Sequence, residues 1–127
     1  MENRYLFRGK TIRGDWVRGL LASKDNKWYI GNKVGRPLAF EIRPESICQC
    51  TGLKDKNGKL IFENDIMEAH IDEDFPEDVS RFKVEWNGKG WVENHPDGVD
   101  REYLDDFDTE HFKVVGNIFD NPELLDV

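Results

Sequence analysis

The 127-residue chain carries 18 Lys and Arg against 26 Asp and Glu, a formal net charge of −8, with 38% hydrophobic and 35% charged residues. One domain with a densely ionised surface is the expectation, and the chain is long enough to bury a core without disulfide or metal staples. No apolar run is long enough to span a bilayer and MENRYLFRGK lacks a signal-peptide core, so a cytoplasmic protein with no membrane role is expected.

Period-2 patterns and turn residues dominate the chain, and helical spacing is scarce. Tyr5 to Arg8 and Trp16 to Leu21 read as strands, joined through Gly9, Gly14 and Asp15. Trp28 to Ile30 follows the polar Ser23–Asn26 turn, and Leu38 to Ile42 follows the Gly35-Arg36-Pro37 break, giving a meander of short antiparallel strands. Pro44-Glu45-Ser46 leads into Ile47 to Thr51, and Asp55-Lys56-Asn57-Gly58 separates that strand from Leu60-Ile61-Phe62. Asn-Gly predicts a hairpin turn with both central residues at positive φ. Glu63-Asn64-Asp65 is a second bend, with Asn64 suited to left-handed φ, leading into Ile66 to Ile71.

The stretch 72–78 is acidic and broken by Pro76, the pattern of a surface loop. Ser80 to Trp86 alternates, with Phe82, Val84 and Trp86 on one face, and Asn87-Gly88-Lys89-Gly90 turns it into Trp91-Val92-Glu93. Tyr103, Leu104 and Phe107 have helical spacing, which predicts a short helix over 101–107 held by packing. Phe112 to Val115 is the last strand, and Pro122 to Leu125 a single helical turn. The fold class expected is all-β, an N-terminal β meander followed by a small barrel or twisted sheet.

Reactive patterns are few. Cys48 and Cys50 lie two apart on one strand face, a spacing poorly suited to a disulfide, and read as half-buried structural thiols. His70, His95 and His111 stand singly, so a structural zinc site is not expected. The Asp55–Gly58 run resembles the middle of a calcium loop, yet Leu53 and Asn64 would fall at its first and twelfth positions, and a turn is the better reading. Neither a nucleophile elbow nor a phosphate-cradling glycine loop occurs. The acidic clusters at 72–74, 77–78 and 105–106 read as solvated faces. No catalytic, metal or cofactor-binding residue is therefore expected, and the chain reads as a non-enzyme.

Charge is uneven. Residues 1–43 hold ten basic and four acidic side chains, a net +6, and the remainder eight basic and twenty-two acidic, a net −14. Complementary parts of this kind favour self-association or a protein partner. A nucleic-acid surface is the alternative, built from Arg4, Arg8, Lys10, Arg13 and Arg18 with Trp16 as a stacking ring, and Trp91 is the tryptophan expected to be partly exposed.

Several blocks together resemble the YopX family of phage and prophage proteins. They are Leu6 to Lys10, Trp16 to Gly19, Pro44 to Ile47, Gln49 to Lys59, Ile61 to Ile66 and Val115 to Phe119, so the likeness spans nearly the whole length. The family commonly has Tyr where Cys50 stands and Gly where Asn64 stands. The resemblance implies an SH3-like barrel over 49–127, preceded by an N-terminal β segment over 1–48, the two packed as one compact unit. It also implies a phage or prophage accessory protein that acts by binding a phage or host protein or by forming a homo-oligomer, and it carries over no catalytic residues.

Overall fold

A computed structural model describes residues 5–31, 39–70, 79–96 and 102–125. These form two compact units, 1–52 and 53–127, built almost entirely of antiparallel strands. Arg4, the 32–38 break and the acidic stretch 72–78 lie outside the described residues.

The first unit contains β1 (Phe7–Lys10), β2 (Trp16–Lys24), β3 (Lys27–Gly31), β4 (Ala39–Ile42) and most of β5 (Cys48–Lys54), in the sheet order β4-β3-β2-β1-β5. Asp25 and Asn26 both take positive φ, 54° and 64°, which gives the two-residue turn whose twist suits the β2–β3 hairpin. The sheet bends until the end of β4 meets the end of β1: Thr11 bridges Ile42, and the Arg43 amide donates to the Lys10 carbonyl at 2.8 Å. A 3-10 turn at Pro44–Ser46 then seats Ser46, whose hydroxyl accepts from the Lys10 amide and donates to the Arg43 carbonyl, both at 2.7 Å.

Ile30, Ile42, Cys48 and Cys50 are fully buried in this unit. The two thiols are thus deeper than the half-buried placement expected, because both point from β5 into packed surroundings, and neither forms a disulfide. Glycine is required where strands approach closely: a Cβ on Gly19 would run into the Gly31 carbonyl. Gly19→Ala must push two paired backbones apart, so a loss of about 1–3 kcal/mol is expected in urea unfolding, in the range of other overpacked sites.

In the second unit, β6 (Leu60–Phe62) follows β5 in the first sheet's order. β7 (Asp65–His70), β8 (Val79–Trp86), β9 (Trp91–Asn94) and β10 (Lys113–Asn117) form a separate sheet in the order β10-β7-β8-β9. Its core is Ile61, Met67, Ala69, Phe82, Val84 and Phe112, with Trp91, Leu104 and Val114 against it. The sheets are open and no closed barrel forms among the described residues, so the barrel implied by the resemblance is not closed here. β10 joins β7 through a register shift between Val114 and Gly116.

The predicted helix at 101–107 is displaced. Residues 102–104 instead run extended along the open edge of β9: the Glu93 amide donates to the Glu102 carbonyl at 2.8 Å, and the Leu104 amide to the Trp91 carbonyl at 3.0 Å. The helix, α1, spans Asp106–His111. It starts there because Asp105 is an extended N-cap whose Oδ1 accepts from the Asp108 amide, while Asp108 Oδ2 accepts from the Asp105 amide. Satisfying the β9 edge and capping α1 outweigh the helical spacing of Tyr103, Leu104 and Phe107.

Candidate functional site

In the first unit, the Thr11–Asp15 turn and strand β4 enclose a groove of about 580 Å³. Ile12, Val17, Ala39 and Phe40 give it an apolar floor, and Arg13, Asp15 and Glu41 supply polar edges. The turn is well fixed. The Thr11 amide donates to the Asp15 carbonyl and the Gly14 amide to the Thr11 carbonyl, both at 2.8 Å, with Gly14 at φ +95°. Arg43 Nη2 also donates to the Ile12 carbonyl at 2.8 Å. Ile12 is 55% and Phe40 42% exposed, two large apolar side chains at one groove.

The expected basic surface is partly assembled. The β1–β2 register pairs Arg8 with Arg18 and Lys10 with Trp16, which puts all four on one face of the hairpin. The Arg8 guanidinium lies 5.0 Å and the Lys10 ammonium 5.4 Å from the Trp16 ring centroid. Arg8 is buried, Lys10 and Trp16 are half-buried, and only Arg18 is exposed. Arg13 belongs to the groove rather than to this face. Trp91 lies in the second unit, half-buried against the core and edge-on to Trp86 at 5.0 Å. Of those two, Trp86 is the more exposed.

A second constellation lies between β9 and α1. Glu93 is 6% and Asp108 5% exposed, and their carboxyl groups hydrogen-bond to each other. Burial, and next the bond to Glu93, push the Asp108 carboxyl up to about 8 against a countering bond from the Asp105 amide. Glu93 is also raised by burial, while its bond to Asp108 pulls the other way. The shared proton therefore belongs on Asp108, which donates to Glu93. Nε2 of His95 stands 2.8 Å from Glu93 Oε1, and the His95 ring lies against Phe82 with centroids 5.4 Å apart. Sequence spacing could not reveal this pair, although the Asp105-x-x-Asp108 cap was there to be read. Among the described residues no group of three or more His, Cys, Asp or Glu is placed to hold a metal ion.

The residues that make the sequence distinctive are occupied with the backbone. Asp55 Oδ1 accepts from the Asn57 and Lys59 amides and its Oδ2 from the Val114 amide, all at 2.9 Å. This is a turn held by a carboxylate, and only Gly58, at φ +80°, needs left-handed backbone there; Asn57 does not, contrary to the paired positive φ expected. Asn64 has φ +69°, as expected, and Asp65 Oδ2 accepts from the Phe62 amide at 2.8 Å. Near the C-terminus, Asn117 Oδ1 accepts from the Phe119 and Asp120 amides at 2.9 Å.

The chain is thus an all-β protein of two open antiparallel sheets and one short helix, whose distinctive residues build turns. It belongs to the YopX family: the family described as YopX protein matches residues 10–126. Among solved structures it is similar to the crystal structure of protein EF1440 from Enterococcus faecalis, at 24% identity and a TM-score of 0.57, over 94% of this chain and 96% of that one. That likeness concerns the fold. No curated protein matches the chain. Among the described residues no helix is long and apolar enough to cross a membrane.

Proposed function

We propose that the protein is a non-enzymatic assembly module, a phage or prophage accessory protein of the bacterial cytoplasm that docks onto a second copy of its own chain. The observation that carries this reading is the apolar groove between Ile12 and Phe40, set in a unit of opposite charge to the other. Residues 1–52 hold ten basic and five acidic side chains, a net +5, against eight and twenty-one over 53–127, a net −13. The acidic unit exposes Trp86, Tyr103 and Phe107, large apolar side chains suited to enter such a groove. A basic unit meeting the acidic unit of a neighbour makes a head-to-tail contact, which closes into a ring or propagates. Charge would steer the encounter and the aromatic anchor would hold it.

Sedimentation of the whole chain at low and high salt tests this. An assembly is expected at low salt that weakens toward 1 M, where the screening length falls to about 3 Å. Phe40→Ser, at an exposed position, should be monomeric throughout with an unchanged urea midpoint. A wild-type monomer at low salt overturns the reading, as does assembly indifferent to Phe40→Ser. Co-purification of nuclease-sensitive nucleic acid in place of assembly would transfer the function to the Arg8, Lys10, Trp16 and Arg18 face.

A further inference from the structure

The carboxyl pair between β9 and α1 has a property that packing alone does not require. Two acids that are each more than nine-tenths buried can face each other only while a proton lies between them, since two carboxylates at hydrogen-bond distance repel and neither has bulk water to screen it. The neighbouring charges are mostly acidic. Glu93 on β9 faces Asp108 on α1, and Glu102 and Asp105, from the segment leading into the helix, add negative charge. His95 Nε2 meets Glu93 Oε1 at 2.8 Å, Val84 of β8 is the cross-strand partner of Glu93, and Phe82 lies against the His95 ring. His111, at the end of α1, is turned to Phe107, with rings stacked at 4.2 Å and Nδ1 2.9 Å from the Phe107 carbonyl.

The helix itself is six residues long and cannot persist without its dock. Its last amide bond runs from Phe112, a core residue, to the Asp108 carbonyl at 2.9 Å. Whatever detaches Asp108 from Glu93 therefore loosens α1 where it enters the core. We propose that Glu93 and Asp108 form a proton-dependent latch that holds α1 against β9 and releases it as the solution becomes alkaline. The fold thus contains a switch that needs no ligand, in which loss of one proton converts the hydrogen bond into a repulsion.

Amide exchange in the intact chain tests the latch, read as protection factors so that the intrinsic pH dependence of exchange is removed. Protection at Phe112 should fall by up to about tenfold per pH unit on the way to pH 8, while the amides of Phe82 and Val84 in β8 keep theirs. Asp108→Asn, which donates the same bond without a titratable proton, should show a flat profile. Glu93→Gln, which removes the facing carboxylate but leaves Asp108 buried, should be clearly shallower than wild type and decides the matter if the first variant does not fold. A flat wild-type profile, a variant as steep as wild type, or loss of β8 protection in step with Phe112 would each overturn the proposal, the last by showing that the whole unit opens at once.

Discussion

Replacing Asp55 by Ala is expected to cost about 3–5 kcal/mol in urea unfolding, since each buried donor left without a partner costs about 1–3 kcal/mol and the losses overlap. The carboxylate is almost completely buried and accepts from three amides, those of Asn57, Lys59 and Val114. Two belong to its own turn and one to β10, fifty-nine residues away, so one side chain both closes a hairpin and fastens a strand. Asp55→Asn keeps one acceptor oxygen and should fall between wild type and Ala. Equal stability of all three would mean that water replaces the lost bonds, contrary to the burial of the site.

The second large effect is on pH dependence. The Asp108 carboxyl rises from 3.8 to about 8 on folding, chiefly through burial and then through its bond to Glu93. Between those values the folded state holds a proton that the unfolded state has lost. The stabilisation is complete below the unfolded value and disappears as pH rises through the folded one, at up to about 1.4 kcal/mol per pH unit. Urea unfolding at pH 5, 7 and 9 should therefore show falling stability in the wild type and a much flatter series in Asp108→Asn, with the variant the more stable at pH 9. Parallel series for the two proteins would contradict the assignment of the proton to this pair.

Strands were legible in the sequence because half-buried strands alternate: Phe82 and Val84 point to the core exactly two residues apart, and Leu60–Phe62 is bounded as expected. Turns were legible where one side chain decides the backbone, as at Asn64. The helix was misplaced because Tyr103, Leu104 and Phe107 satisfy a 3.6-residue spacing while serving an extended segment, a choice made by the open edge of β9. Both candidate sites join residues from distant parts of the chain, Ile12 with Phe40 and Glu93 with Asp108. Only the Thr11–Ile42 bridge, which closes the end of β1 on β4, and the docking of α1 bring them together, and neither can be read from spacing.

Cys48 and Cys50 are the chain's two thiols, both outside any disulfide and fully buried, and both lie within the first unit. A water-soluble thiol reagent can reach them only when that unit opens, so the rate of modification becomes a clock for its fluctuations. The acidic unit, with no thiol of its own, is silent to the same reagent. The native chain therefore carries its own reporter, able to time the opening of the unit that bears the groove without a label being introduced.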